Sequence, residues 1–205
     1  MKNWFVGTII ALVSTLSYAA DGWVAAELKE AQAQLDQRQF AQAFEICHNL
    51  LLINRAASLG RDASDQARSL LSTAGRRVKA GNPRVFSAAF LDRAKRLNFI
   101  QVGCAWMPAE TKAQLPADAI AKLEKFTQAK VCPQCNGACI TDCLNCEDGK
   151  AKCVACNGTG RATGGGTFAR TQCPVCSGKG KSVCTFCRGS GFVVCQKCDG
   201  TGLRD

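Results

Sequence analysis

The last third of the chain contains six Cys-x-x-Cys pairs, a spacing that lets both thiolates bind one metal ion from a single tight turn. In four of the pairs the second cysteine is followed by x-Gly-x-Gly, and glycine allows the chain to reverse direction with a positive φ angle. Two such knuckles supply four thiolates, which make a closed tetrahedral zinc site. Repetition on this scale predicts a zinc-ribbon module. The complete repeats begin at Cys153, Cys173, Cys184 and Cys195, and the two degenerate ones at Cys132 and Cys143.

The spacing of the knuckles predicts how they pair. Their first cysteines are separated by 11, 10, 20, 11 and 11 residues, a series that is nearly symmetric about its long central interval. An antiparallel ribbon needs arms of matching length, because the register of one arm must follow the other. We therefore pair the third knuckle with the fourth, the second with the fifth and the first with the sixth, which gives three zinc ions. The predicted ligand sets are Cys153, Cys156, Cys173 and Cys176; Cys143, Cys146, Cys184 and Cys187; and Cys132, Cys135, Cys195 and Cys198.

This pairing predicts one elongated antiparallel zinc-ribbon hairpin over residues 131–205. Its flexible tip would be the segment Arg161 to Gln172, which contains Gly164-Gly165-Gly166. Aromatic residues make up only 7% of the chain, so metal binding must replace apolar burial in this part. The expected fold class is thus an N-terminal helical bundle followed by a small β module stabilised by zinc.

The stretch from Cys153 to Gly202 resembles the cysteine-rich domain of DnaJ-type co-chaperones, which carries four Cys-x-x-Cys-x-Gly-x-Gly repeats. The resemblance implies two zinc ions held by nested repeats, and binding of unfolded or partner proteins. This chain departs from the family pattern in having six knuckles, so it is similar to an elongated version with a third rung. Its single histidine, His48, is followed by Asn49, so the His-Pro-Asp signature of the J-domain is absent. The resemblance covers residues 132–202 and does not extend to the family's C-terminal substrate domains.

Residues 1–19 have the pattern of a signal peptide. Lys2 gives a basic start, an apolar run follows from Trp4 to Val13, and small residues precede a cleavage position after Ala19. Cleavage predicts an exported protein, periplasmic or secreted. The alternative is an uncleaved N-terminal membrane anchor, although the run is short for a membrane span.

Residues 20–130 are predicted to be helical. Apolar residues recur at helical spacing from Val24 to Leu35, from Phe40 to Leu51 and from Ala67 to Val78. Two further helices are expected at Val85 to Leu97 and at Ala117 to Ala129, with a loop from Asn98 to Leu115 between them. We predict a plain antiparallel helical bundle; the alternative is a tetratricopeptide hairpin, which the first helix pair weakly resembles.

The net charge of +10 raises the question of nucleic-acid binding. Twelve thiolates on three zinc ions would change the formal charge of residues 131–205 from +4 to −2, because the ligands bind deprotonated. The basic residues of the helical part are dispersed, with no block of like charge. We therefore expect no nucleic-acid partner.

Three cysteines and the histidine remain outside the predicted sites. Cys47 is either a buried core residue or the partner of Cys104 in a disulfide, which an exported chain can form. Cys139 replaces the second glycine of the first knuckle, as a substitute ligand or a spare thiol. His48 is expected to be a surface or capping histidine, since the thiolates already complete three sites.

No catalytic constellation or phosphate-binding loop is visible in the sequence, so we expect no enzyme. Three classes of function remain. The first is passive, ATP-independent binding of unfolded or partner proteins by a zinc module. The second is thiol–disulfide exchange by Cys-x-x-Cys pairs, and the third is a disulfide framework without metal. The Gly-x-Gly tails favour zinc knuckles, and a redox motif normally stands once at a helix N-terminus.

Overall fold

The computed structural model describes residues 22–78, 82–162 and 171–204. The predicted signal peptide and most of the predicted glycine-rich tip lie outside the described residues. The chain forms two compact units: unit 1 extends to Ile140 and includes the C-terminal segment from Val194, and unit 2 comprises Thr141–Val193. The boundary between the units therefore differs from the predicted domain boundary at residue 131.

Helices form the greater part of unit 1. The predicted stripes on the first three helices are confirmed, because residues such as Leu28, Cys47 and Leu71 are buried at these positions. Within the described residues, no helix is long and apolar enough to cross a membrane. The helices are α1 (22–36), α2 (Phe40–Ala57), α3 (Arg61–Gly75), α4 (Ala88–Arg96), α5 (Ala109–Gln114) and α6 (Ala117–Lys125).

Helices α4 and α6 are shorter than predicted. Helix α4 begins only after Ser87, whose hydroxyl accepts a hydrogen bond from the backbone N–H of Phe90 at 3.3 Å. This is an N-terminal cap, which satisfies a backbone donor that the helix leaves unpaired. The capping signal, and not the apolar run that precedes it, sets the start of the helix.

The predicted loop from Asn98 to Leu115 is wrong. It contains strands β1 (Phe99–Val102) and β2 (Ala105–Pro108), which form an antiparallel hairpin, and then helix α5. Gly103 begins the two-residue turn with a φ of +61°, a conformation typical of tight hairpins. A side chain at Gly103 would also collide with the backbone of Leu123, so both the turn and the packing require glycine.

Polar contacts fix the elements of unit 1 to one another. The buried Asn49 side chain donates to the backbone oxygen of Trp106 and accepts from its N–H, at 2.7 and 2.8 Å, which joins α2 to β2. Glu27 on α1 forms a two-pronged ion pair with Arg93 on α4, at 2.6 and 2.7 Å. Because both side chains are largely buried, the loss of either would leave an uncompensated charge.

The cysteine-rich part contains short antiparallel strand pairs that are nested in sequence. The innermost pair, β5 with β6, aligns Lys152 with Lys181, and beyond it Arg161 forms an isolated bridge with Gln172. Small antiparallel pairs with this nesting agree with the predicted arms of the hairpin. The strands are β3 (Lys130–Val131) with β8 (Leu203–Arg204), β4 (Ile140–Asp142) with β7 (Phe192–Val194), and β5 (Lys150–Lys152) with β6 (Lys181–Val183).

Candidate metal centres

Three groups of four cysteines bring their sulfur atoms together, and within each group all sulfurs lie within 4.8 Å of one another. The grouping is the one that the interval symmetry predicts. We name the groups the outer, middle and inner tetrads. The outer tetrad is Cys132, Cys135, Cys195 and Cys198; the middle one is Cys143, Cys146, Cys184 and Cys187; the inner one is Cys153, Cys156, Cys173 and Cys176.

The sulfur spacing fits a tetrahedral metal ion. A zinc–sulfur bond of about 2.3 Å places the sulfurs of a regular tetrahedron about 3.8 Å apart. Across the outer tetrad the sulfurs of facing knuckles are 3.9 and 3.7 Å apart, across the middle one 4.0 and 3.5 Å, and across the inner one 4.0 and 3.7 Å. All fifteen cysteines are free thiols in the structure, so none of these contacts is a disulfide.

The local backbone of each complete knuckle directs an N–H group at the second sulfur. In the third knuckle Asn157 and Gly158 have φ angles of +50° and +83°, which reverses the chain after Cys156. The N–H of Gly160 then donates to the Cys156 sulfur at 3.3 Å. Such bonds stabilise a thiolate, because they favour its charged form. Gly180, Gly191 and Gly202 donate in the same way to Cys176, Cys187 and Cys198, each at 3.3 Å.

The two degenerate knuckles lack the second glycine of the complete repeats. Cys139 takes the glycine position with a φ of +67°, and its own N–H lowers the pKa of Cys135, against the larger effect of burial, which raises it. In the second knuckle burial raises the pKa of Cys146, and the N–H of Gly149 opposes that effect. In both degenerate knuckles a backbone N–H thus opposes the effect of burial on the pKa of the second cysteine.

Repulsion between neighbouring thiolates in each tetrad favours a bound cation. Burial opposes ionisation of Cys156, but the Gly160 N–H and the neighbouring thiols lower its pKa to about 6. Burial and the neighbouring thiols instead raise the pKa of Cys153 to about 11. Sulfurs this close cannot all ionise, because each thiolate disfavours the next. A divalent cation at the centre removes that conflict, so each tetrad has the chemistry of a metal site.

The outer tetrad lies within unit 1, where side chains of the helices bind the sixth knuckle. Arg55 on α2 donates through one nitrogen to the backbone oxygens of Cys198 at 3.2 Å and Leu203 at 2.9 Å. The same nitrogen lies 3.1 Å from the hydroxyl of Thr201, which is fully buried. One guanidinium thus fixes the loop that follows a predicted metal ligand.

Two further helical side chains hold the same loop. Arg68 on α3 makes a bidentate ion pair with Asp199, at 3.0 and 2.8 Å. The Nε2 atom of His48 lies 2.9 Å from the backbone oxygen of Thr201 and donates to it. These contacts could not be predicted from the sequence, since no periodicity links positions more than 130 residues apart.

The expectation of a surface or capping histidine at position 48 is wrong. His48 is buried, and its ring stacks on Phe86 with the ring centres 5.6 Å apart. The prediction missed the long-range acceptor on Thr201, which lets a polar ring be buried with its donor satisfied. His48 also lies outside the three tetrads, so its exclusion as a ligand agrees with the geometry.

The leftover cysteines are buried free thiols. Burial raises the pKa of Cys47 far above its usual range, with the nearby Glu27 acting in the same direction. Cys104 also has a raised pKa because it is buried. Cys139 stays outside the outer tetrad, and its thiol donates to the backbone oxygen of Gly137 at 3.4 Å. The structure therefore has a spare thiol at position 139 and no Cys47–Cys104 disulfide.

We expect the imidazole of His48 to stay neutral from pH 8 down to about pH 5. Burial lowers its pKa to about 4, although its hydrogen bond to Thr201 acts in the opposite direction. An unfolded histidine titrates near pH 6.5, so the stability that the neutral ring contributes is complete above that pH and decreases as the pH falls toward 4. Because the chain has one histidine, its ring proton signal can be followed by NMR without assignment.

The same titration in urea is the control for His48. There the signal should move with a midpoint near pH 6.5, because the buried environment is gone. A midpoint between pH 6 and 7 in the folded protein would contradict the buried, neutral assignment.

Comparisons with known proteins identified no relative of this chain. No family model, no curated protein and no solved structure matches the chain.

Proposed function

We propose that the three tetrads hold three zinc ions and that the zinc-stabilised cysteine-rich part is a module for binding unfolded or partner proteins without ATP. The sulfur geometry of the tetrads is the observation that carries the proposal. Four thiolates at tetrahedral spacing select zinc or iron among the common metals, and the repeated Cys-x-x-Cys knuckles favour structural zinc.

The tetrads support a structural role for the metal. A catalytic zinc site has three protein ligands and keeps a position open for water or substrate, whereas each tetrad supplies four sulfurs. Eleven of the twelve cysteines are buried, and Cys146 is partly so, which further limits access to the ion. The metal would therefore set the shape of the knuckles, and the surface that they display would make the contacts.

The resemblance of residues 153–202 to the DnaJ-type cysteine-rich domain supports protein binding as the use of that surface. The motif is the whole basis of that resemblance. The signal-peptide pattern places the protein outside the cytoplasm in this proposal, where ATP is not expected to drive a cycle. The protein would therefore bind its clients passively, without ATP.

Thiol–disulfide exchange is the second candidate, because three sulfurs have a lowered pKa. Against the effect of burial, the backbone N–H groups of Cys135 and Gln134 lower the pKa of Cys132 to about 7. Hydrogen bonds from the Gly191 N–H and the neighbouring thiols lower the pKa of Cys187 to about 6, against the effect of burial, and Cys156 behaves alike. A thiolate at neutral pH is the reactive form of cysteine. All three residues are nevertheless buried, and a bound zinc ion would occupy their sulfurs.

The zinc-loaded protein should suppress aggregation of guanidinium-unfolded citrate synthase on dilution, at a few-fold molar excess and without ATP. It should also reduce insulin disulfides no faster than a buffer blank that contains the same dithiothreitol. Light scattering measures the first activity and turbidity of the insulin B chain the second. The chelated protein is the matched control for both assays.

Two outcomes would reject the binding proposal. One is sustained insulin reduction by zinc-loaded protein that is lost in Cys187→Ser while the remaining zinc is retained. The other is an unchanged scattering curve at every ratio tested. A metal analysis that finds iron with a thiolate-to-iron absorption band would instead correct the identity of the ion.

A further inference from the structure

Four knuckles display a large apolar side chain between their two cysteines, and all four belong to unit 2. The carriers are Leu144, Val154, Val175 and Phe186, which are 98, 94, 66 and 62% exposed. The two knuckles of unit 1 have no Leu, Val or Phe between their cysteines; the exposed residues there are Pro133, Gln134, Gln196 and Lys197. Large aliphatic or aromatic side chains at the knuckle tips are thus a property of unit 2 alone.

The knuckle fold does not require an apolar residue at the tip. Gln134 and Lys197 stand between cysteines of a tetrad with the same sulfur spacing as the others. A single exposed apolar residue is ordinary on a protein surface. Four of them, one between the cysteines of every knuckle of unit 2, indicate a surface that contacts another molecule, because polar residues there would serve the fold equally well.

We propose that these four tips bind an extended segment of another protein, one that carries apolar side chains interspersed with carboxylates. The proposal rests on the protein-binding function above and names the contact surface and the class of client. We call Leu144, Val154, Val175 and Phe186 the tip residues. Each knuckle has one large apolar residue between its cysteines, so an extended client can contact one tip residue with each of several of its own side chains.

The separate tips suit an extended chain better than a folded partner or a second copy. A stable interface between folded proteins needs about 800 Å² of fitted surface on each side. The tips are instead separated by glycines and polar residues along the sequence. Pairing of two copies through the edges of the β5–β6 sheet is disfavoured as well, because Lys152 and Lys181 lie opposite each other there. Lysine on an edge strand is a common device against self-pairing.

The exposed charge of unit 2 favours carboxylates in the client. Its described residues include six basic and three acidic side chains, and one of the acidic ones, Glu147, is already paired with Lys181 at 2.7 Å. Two zinc–thiolate centres would add a formal −4 to the +3 of these side chains, but seven of the eight cysteines of unit 2 are buried, whereas all six basic side chains are exposed. A client therefore meets the lysines first, among them the exposed Lys150 and Lys152 of β5.

Three fluorescein-labelled peptides of about 15 residues test the proposal with the full zinc-loaded protein. One alternates Leu and Phe with Glu, the second replaces Glu by Lys, and the third keeps Glu but replaces Leu and Phe by Ser. Fluorescence anisotropy in 50 mM salt should give at least tenfold tighter binding of the first peptide than of the other two. Equal binding of the lysine peptide would overturn the charge preference and with it the proposed client.

The tip variant carries Leu144→Gln, Val154→Gln, Val175→Gln and Phe186→Gln. Glutamine is chosen because the chain itself has it at a knuckle tip, at Gln134. The variant should keep three zinc ions and lose at least tenfold in affinity for the acidic–apolar peptide. The matched control, Gln134→Ser with Lys197→Ser, changes exposed residues between the cysteines of the two unit 1 knuckles and should bind within twofold of wild type. If the fourfold variant loses zinc, the double variants L144Q/F186Q and V154Q/V175Q test two tip residues each. Each double variant should lose at least threefold in affinity for the acidic–apolar peptide.

The outcomes separate this inference from the function on which it rests. Unchanged peptide binding by a zinc-replete tip variant overturns the inference. If that variant still suppresses citrate synthase aggregation, the proposed function holds, but a different surface of the protein performs it. Wild-type protein that neither binds the peptide nor suppresses aggregation overturns both. Sedimentation that shows a wild-type dimer and a monomeric tip variant would assign the tips to self-association and reject the client.

Discussion

Replacing Cys198 by serine should lower the thermal midpoint of unit 1 by at least 10 °C, whereas replacing Cys187 should leave that midpoint within about 2 °C. Cys198 belongs to the outer tetrad, which lies inside unit 1, and Cys187 belongs to the middle tetrad of unit 2. A structural zinc ion contributes about 10–16 kcal/mol to folding of its site in small zinc domains. That is as large as the whole stability of a typical domain.

Loss of the outer zinc ion would destabilise the helices of unit 1, because they are bound to the sixth knuckle. Arg55 and His48 on α2 have their acceptors in residues 198–203, and Arg68 on α3 has its acceptor at Asp199. If the loop after Cys198 moves away, the partly buried Arg55 loses its bonds to this loop and the buried His48 loses its acceptor. A buried polar group left unpaired costs about 1–3 kcal/mol. Loss of the outer ion should therefore destabilise helices that contain none of its ligands.

Calorimetry and the circular dichroism signal at 222 nm follow this effect, since nearly all helical residues belong to unit 1. Zinc content measured on the same samples shows that each variant loses one ion. Equal midpoints for the Cys198→Ser and Cys187→Ser variants would mean that the outer tetrad does not stabilise the helical unit.

The nested grouping of the cysteines was accessible from the sequence because it is a property of intervals. Two arms of a ribbon must have equal lengths between successive sites, so the cysteine numbers alone contain the pairing. The attachment of the outer tetrad to the helices was not accessible in this way. It depends on single side chains such as Arg55, which meets residues more than 140 positions away.

The hairpin at residues 99–108 was missed for a different reason. Its strands are four residues each, too short for alternation to stand out, and the turn signal is a lone Gly103 followed by a cysteine. The collision that forbids a side chain at Gly103 involves the backbone of Leu123, which only the folded chain brings near. The burial of His48 was not predicted for the same reason, since it depends on an acceptor on Thr201 that only the folded chain brings near.

Cys143→Ser and Cys184→Ser should each reduce the zinc content from three ions to two, and the double variant should also retain two. The two residues belong to the same tetrad, with their sulfurs 4.0 Å apart, so one lost site accounts for both substitutions. By contrast, Cys143→Ser combined with Cys153→Ser removes a ligand from two tetrads and should leave one ion. Three remaining thiolates bind structural zinc far more weakly than four, because the closed tetrahedron is broken.

Native mass spectrometry of protein purified without reductant and without added zinc counts the ions directly. The informative comparison is the number of zinc ions in the two double variants, Cys143→Ser/Cys184→Ser and Cys143→Ser/Cys153→Ser. It also distinguishes the nested arrangement from pairing of neighbouring knuckles. If the second knuckle paired with the first and the fifth with the sixth, Cys143 and Cys184 would belong to different sites. Their double variant would then retain one ion, and that count would contradict the nested tetrads. Retention of two ions, together with one in the Cys143→Ser/Cys153→Ser protein, is the result that the sulfur geometry requires.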